Sequence, residues 1–276
     1  MLCRPAAAQD RGNRERVMST IQLYALHCGG DLMTMAAFDP FDPEPGKKVY
    51  NPYFLYVVKH PAGTLVFDSG AHPQLATDPE LRLGPAAADF EVTLSPDDHV
   101  ERRLAAIGLR PRDVDLVVQS HLHFDHAGGL EWLKHAPVLV QREELAFAMD
   151  PPVYQEAIYV RGDYDVGLSW QQLDGDHDVF GDGRVTIIST PGHTRGHQSL
   201  LVHLDGQTVF LLADAAYLLG KMRSRKLPGI LWSPDATIAT WDRIEEIERS
   251  ENAHLMTTHE LDYETSVRLA PASWYE

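Results

Sequence analysis

Cysteine is scarce in this chain: Cys3 and Cys28 are the two among 276 residues. No disulfide framework can staple so thin a supply, and a reducing, cytoplasmic compartment fits it. Basic residues are also short, with 24 Lys and Arg against 40 Asp and Glu and a net charge of −16. A nucleic-acid backbone or an anionic membrane surface is repelled by such a chain, whereas an uncharged small molecule is not. No apolar run approaches the roughly 18 residues that a membrane-spanning helix needs. Internal repeats and low-complexity tracts are missing too. What remains is a globular composition, 44% hydrophobic and 9% aromatic, in a chain long enough to bury a core unaided. The one surplus is histidine, with 14.

Residues 1–17 carry four Arg against one Asp and one Glu, so the remainder stands at −18. They lack the apolar middle region of a secretory signal and read as a disordered N-terminal extension, leaving 18–276 as a single domain. From Ile21 onward, short apolar runs bounded by Gly, Pro or Asp predict strands over 20–27, 53–60, 63–68, 114–119, 137–141, 185–189, 199–204, 208–213 and 254–258. Hairpin turns are expected at Pro61–Leu65 and at Asp205-Gly206. Helices are expected over 96–107 and over about 235–250, the latter capped by Asp235 with Ile238, Trp241, Ile244 and Ile247 along one stripe. Strands outnumber helices and come in two groups, which predicts an α/β chain built as a four-layer αββα sandwich. Two segments, 29–52 and 150–183, read as long loops of the kind that cover functional sites.

The decisive stretch is Ser120-His121-Leu122-His123-Phe124-Asp125-His126-Ala127-Gly128-Gly129, directly after an apolar strand. Three His and one Asp in six residues cannot all be buried without a hydrogen-bond or metal partner. Alternation along the chain puts His121 and His123 on one side, where both reach one ion. After the turn, Asp125 and His126 reach a second ion, as two-metal hydrolytic sites require. More ligand candidates follow apolar runs elsewhere: His193 in Thr190-Pro191-Gly192-His193-Thr194-Arg195-Gly196-His197, Asp214 after Val209–Ala213, and His259. A carboxylate at Asp214 can bridge two ions with its two oxygens.

With these motifs the chain resembles the metallo-β-lactamase superfamily. Within it the likeness is to the N-acyl homoserine lactone lactonases, the quorum-quenching enzymes, through SHLHFDHAGG, STPGHTRGHQSL, Asp214-Ala215-Ala216-Tyr217 and the spacings that separate His126, His193, Asp214 and His259. The resemblance implies that His121, His123 and His193 bind one divalent ion, that Asp125, His126 and His259 bind another, and that Asp214 bridges. Two ions sharing a water would make a bridging hydroxide as nucleophile, and Asp125, a ligand with a free oxygen, would carry the proton to the ring alkoxide; the resemblance further implies a phenol donor for the lactone carbonyl oxygen from Tyr217. True β-lactamases of this fold usually have Cys where Asp214 stands. Asp68, in Phe67-Asp68-Ser69-Gly70, and His197 resemble residues that orient ligands without binding metal. Zinc is the default ion, and His and carboxylate ligands without thiolate also accept iron, cobalt or manganese.

Met33, Met35, Phe38 and Phe41 are candidates for an apolar wall around a substrate acyl chain, or for a contact in a homodimer of the kind the family often forms. Lys221-Met222-Arg223-Ser224-Arg225-Lys226 is the one basic island, read either as solvated lid residues or as an anion site. Competing readings share the metal motif. A lactonase for another ring, such as a pyridoxine-derived lactone, differs in the acyl-chain dependence it predicts. A glyoxalase II-type thioester hydrolase predicts a C-terminal helical domain, yet only 17 residues follow His259. Flavodiiron proteins normally have Glu at the position of His123.

Overall fold

The computed structural model of the protein describes residues 20–276, so the extension expected over 1–17 lies outside the described residues. Twelve strands form among them: β1 Gln22–Thr34, β2 Lys48–His60, β3 Gly63–Phe67, β4 Glu91–Val92, β5 Leu116–Val118, β6 Pro137–Gln141, β7 Ser169–Leu173, β8 His177–Asp178, β9 Val185–Ser189, β10 Gln198–His203, β11 Thr208–Ala213 and β12 Ala253–Thr257. One sheet has seven strands in the order β4-β1-β2-β3-β5-β6-β7, and the other has five in the order β12-β11-β10-β9-β8.

Alternating side chains assign each strand two faces. In the first sheet Leu23, Phe54, Val58, Leu65 and Val118 face Ile187, Leu200, Val202 and Leu211 of the second, forming the core between the sheets. The opposite face of the first sheet, with Leu26, Leu55, Val57 and Val117, packs under Val100 and Leu104 of the helix Val100–Ala106 and under Phe147 of the helix Arg142–Met149. The outer face of the second sheet packs Phe210 and Leu212 against Trp241 and Ile244 of the helix Pro234–Glu251. Helix, sheet, sheet and helix are therefore stacked as the αββα sandwich that the sequence predicts.

Several expectations need correction. Residues 29–52 are not one loop, because β1 runs on to Thr34 and β2 begins at Lys48. Gly29 and Gly30 misled the reading. They mark a bulge at which the β1–β2 pairing shifts from His27↔Phe54 to Gly30↔Pro52, one extra residue in β1, with Gly29 at φ +79°. The residues facing one side of β1 are accordingly Tyr24, Leu26 and Cys28 before the bulge, and Asp31 and Met33 after it. Residues 150–183 are likewise not one loop, since they include β7, β8 and short helical turns. The expected helix over 96–107 begins only at Val100. The helix starting at Pro234 is capped by Ser233, whose Oγ accepts from the Ala236 N–H at 3.2 Å, and not by Asp235. Pro234 lacks an N–H and fits the first helical position, which moves the cap one residue upstream of it.

Trp241 is 2% exposed and donates its indole N–H to the Ala215 carbonyl, directly after Asp214. Trp241→Ala is expected to cost about 3–5 kcal/mol in urea unfolding; a loss below about 1 kcal/mol would contradict this packing.

Candidate metal centre

Strand ends and the turns after them collect the predicted ligands in one place. His121, His123, Asp125 and His126 follow β5, His193 lies in the turn between β9 and β10, Asp214 follows β11, and His259 stands two residues beyond β12. All are buried except Asp125, whose side chain is 12% exposed. Close approach of the Ser69 and Ala71–His72 backbone behind the cluster requires glycine: a Cβ on Gly128 would lie 2.1 Å from His72 N, and one on Gly129 would lie 2.3 Å from Ser69 O.

Two groups of ligand atoms result. His121 Nε2 and His193 Nε2 lie 2.9 and 3.0 Å from His123 Nδ1. His126 Nε2 lies 3.4 Å and His259 Nε2 3.7 Å from Asp125 Oδ2. Asp214 stands between the groups. Its Oδ2 is 3.4 Å from His193 Nε2 and 3.9 Å from His121 Nε2, while its Oδ1 is 3.2 Å from His126 Nε2 and 3.1 Å from His259 Nε2. Separations of this size are those of atoms sharing one ion at about 2.0–2.2 Å each.

The hydrogen bonds behind the cluster decide which ring nitrogens carry protons. His126 Nδ1 donates to Asp68 Oδ2 at 2.9 Å, His259 Nδ1 to the Pro52 carbonyl at 2.9 Å, and His193 Nδ1 to the Ile230 carbonyl at 3.1 Å. His121 Nδ1 donates to Ser120 Oγ at 3.0 Å, which passes its own proton to Asp68 Oδ2 at 2.8 Å. Each of these four rings, once neutral, therefore presents an inward Nε2 lone pair. His126 Nε2 and Asp214 Oδ1 are buried without a hydrogen-bond partner. Four inward lone pairs converging with two carboxylates suit divalent cations.

Electrostatics say the same. Burial and the surrounding imidazoles hold His121 and His123 well below the usual histidine range. Burial disfavours charge on His126 as well, yet Asp125, Asp214 and Asp68 together push it well above that range. Against the opposing effect of burial, His259 and His126 hold the Asp214 carboxyl well below the usual carboxylate range. Negative charge in the centre thus attracts protons in the absence of a metal ion. No thiolate competes among the described residues: burial pushes the Cys28 thiol up to about 12.

Asp68 and His197 sit behind the ligands. Asp68, at φ +60°, accepts from Ser120 N, Ser120 Oγ, Gln119 Nε2 and His126 Nδ1. His197 Nε2 accepts from the Asp214 N–H at 3.2 Å, and its Nδ1 meets Thr190 Oγ1 at 2.9 Å. Tyr217 places its hydroxyl 3.4 Å from His193 Nδ1, and burial followed by the Asp214 charge keeps the phenol protonated far above neutrality.

A pocket opens onto the centre, lined in part by Asp125, Asp214, His259 and Tyr217. Met33 and Phe38 also line it. Met35 instead packs beneath, against Phe38 and Leu218, and Phe41 is 91% exposed and outside the cavity. The apolar wall is completed by Phe124 of the histidine motif and by Phe90, Ile158 and Ile230, the last three from segments with no periodic signal in the sequence. The basic island is consumed internally: Lys221 pairs with Asp39 at 2.8 Å and Asp42 at 2.7 Å, Arg225 with Asp242 and Glu245, and Arg223 with Glu245 and Glu248. An anion site there is not supported. Its role is to tie the 35–47 loop beside Tyr217.

Sequence reasoning also missed Glu144, which is fully buried and accepts from Leu122 N at 3.0 Å, Tyr159 Oη at 2.8 Å, Thr194 Oγ1 at 2.5 Å and Gly196 N at 3.3 Å. Leu122 lies between two ligands and Thr194 follows a third, so one carboxylate fastens both loops. The available signal was an acid on the apolar face of its helix, three and four residues before Phe147 and Ala148.

The family model described as the metallo-beta-lactamase superfamily matches residues 51–259. The chain is 35% identical over 260 residues to the N-acyl homoserine lactonase AttM of Rhizobium radiobacter, covering 92% of this chain and 98% of that one. It is 28% identical over 230 residues to the N-acyl homoserine lactonase AiiA of Bacillus thuringiensis subsp. kurstaki, covering 82% and 88%. Among solved structures it is similar to an N-acyl homoserine lactone hydrolase with the product N-hexanoyl-L-homoserine bound at its catalytic metal centre. That likeness has a TM-score of 0.81 and 26% identity, and covers 94% of this chain and 100% of the other.

Glu144→Leu leaves several buried donors unpaired and is expected to cost about 3 kcal/mol or more, with metal content falling in parallel by elemental analysis. Full metal retention in that variant would show that the two loops hold without it.

Proposed function

The chain belongs to the metallo-beta-lactamase superfamily, and we propose that it is a dinuclear metal-dependent hydrolase that opens the lactone ring of N-acyl homoserine lactones. The observation that carries this reading is Asp214, whose two oxygens each face a separate group of histidine nitrogens within 3.9 Å. His121, His123 and His193 would hold one ion, Asp125, His126 and His259 the other, with Asp214 shared. Bound there, two divalent ions supply Lewis acidity and lower the pKa of water towards neutrality. A donor set of imidazoles and carboxylates suits zinc and also accepts iron, cobalt or manganese.

The remaining work falls to the chain. Attack on the lactone carbonyl builds negative charge on its oxygen, and the Tyr217 hydroxyl, kept protonated as described, donates to that oxygen where the charge develops. Collapse breaks the ring C–O bond and leaves an alkoxide that must gain a proton. Asp125 is the one ligand with appreciable exposure, so its carboxylate is the group able to carry that proton between the cavity and the leaving oxygen. Met33, Phe38, Phe90 and Ile158 form an apolar wall for the acyl chain. An uncharged lactone meets no penalty from a chain at −16.

Residues 18–276 serve as one catalytic domain in this reading, and scarce cysteine favours the cytoplasm. No helix among the described residues is long and apolar enough to cross a membrane. Exposed Phe41, unused by the cavity, offers a contact for a homodimer.

Metal-loaded protein is expected to open N-hexanoyl-homoserine lactone with release of a proton, to lose that activity on chelation and to regain it with a divalent ion. No proton release above buffer would overturn the lactonase reading. Asp214→Asn should lose bound metal and activity together, and an unaffected variant would overturn the ligand assignment. Tyr217→Phe should keep its metal and lose about 10²-fold in kcat; an unchanged kcat would remove Tyr217 from the mechanism.

A further inference from the structure

Asp31 lies in the second half of β1, is fully buried, and lines the same pocket as Asp125, Asp214 and His259. Neither of its carboxylate oxygens has a hydrogen-bond partner. The Asn51 side-chain oxygen and the Tyr53 hydroxyl, which line the cavity beside it, have none either. Tyr53 and Asn51 face the Asp31 carboxylate and ease its burial, but no hydrogen bond of good geometry closes among them, and so polar a buried corner is costly unless something enters to complete its pairing.

Their placement is dictated by the backbone. Asp31 stands directly across the β1–β2 ladder from Asn51, and Tyr53 is two residues further along β2 on the same face. The bulge at Gly29 is what turns Asp31 to this face. Asn51 adjoins Pro52, whose carbonyl fixes His259 Nδ1. The corner is therefore held in register with the metal centre through one peptide unit.

We propose that Asp31, with Asn51 and Tyr53, forms a donor-reading subsite that accepts a hydrogen bond from the amide N–H of an N-acyl homoserine lactone. The inference rests on the lactonase reading above and specifies how that site selects its substrate. In such a lactone the amide nitrogen is one carbon removed from the lactone carbonyl, about 2.5 Å from the carbon under attack by standard bond lengths. An acceptor that reads this N–H must share a cavity wall with the metal ligands, and Asp31 does. The other walls that reach the acyl chain, Met33, Phe38 and Ile158, offer no side-chain acceptor to an N–H. Binding a ring that carries the donor pairs the orphaned carboxylate. A ring without it leaves the carboxylate desolvated and unpaired, which is the larger source of discrimination.

The test uses metal-loaded wild type, Asp31→Leu and Asp31→Asn, with three substrates: N-hexanoyl-homoserine lactone, its 3-hydroxy derivative, and an α-hexyl-γ-butyrolactone that has no N–H. The quantity read is the ratio of kcat/KM for the amide-bearing over the amide-free lactone. That ratio should fall tenfold or more in Asp31→Leu and less in Asp31→Asn, which keeps an acceptor oxygen. The thermal midpoint of Asp31→Leu should not fall, because an unpaired buried carboxylate has been removed. A purely structural Asp31 predicts the opposite, a lowered midpoint with both substrates affected alike, and that result overturns the subsite. A drop confined to the 3-hydroxy substrate would assign the donor to the chain hydroxyl and overturn the amide assignment. Wild-type protein that opens none of the three lactones overturns the lactonase reading and the subsite with it. An active wild type whose ratio is untouched in Asp31→Leu overturns the subsite alone.

Discussion

Five imidazoles and two carboxylates converge on one buried point, an arrangement that a protein interior does not tolerate on its own. Every other feature around the centre can be traced to that constraint. Four of the rings are turned inward because their outer nitrogens are engaged by Ser120, Asp68, and the carbonyls of Pro52 and Ile230. Those partners lie within or just after strands of the first sheet, or in a loop beside the second, so the tautomers hold only while both sheets stay in place. Ion binding and tertiary structure are consequently one equilibrium. The helix Pro234–Glu251 stabilises the centre although it supplies no ligand, since Trp241 grips the backbone one residue beyond Asp214.

Much of this was readable from the chain because the informative patterns are local. β6, β9 and β11 fall at their expected positions, being short apolar runs cut off by turn residues. The strand-end histidines announce themselves because polar residues that follow apolar runs have few structural uses. Less local facts escaped. Whether an acid is buried depends on what packs over it: Glu144 carries only the weak signal of its place on an apolar helix face, and Asp31 is turned inward by a bulge that the sequence does not reveal. The cap at Ser233 turned on the missing N–H of Pro234. The apparent loop at 29–52 concealed the ends of two long strands, because a glycine pair inside a strand reads as a turn until its pairing partner is known.

Charge is distributed more economically than the composition suggests. The basic island from Lys221 to Lys226 is neutralised by Asp39, Asp42, Asp242, Glu245 and Glu248, so it offers little to an external anion. The ion pairs of Lys221 connect the 35–47 loop, which carries Phe38, to the turn that carries Tyr217, and the two rings meet edge to face at 5.6 Å. Wall and donor on that side of the cavity therefore move as one body.

The bulge in β1 makes the chemistry of the cavity depend on strand length as well as on side-chain identity. Ahead of it the pairing with β2 is fixed by the core between the sheets, and beyond it the parity of β1 is reversed. Removing the extra residue would exchange every inward side chain past that point at once, withdrawing Asp31 and Met33 and presenting their neighbours. The ligands, all carried elsewhere in the chain, would stay where they are. Insertion or deletion of a single residue at Gly29 is thus a compact route by which relatives sharing this centre can diverge in the rings they accept.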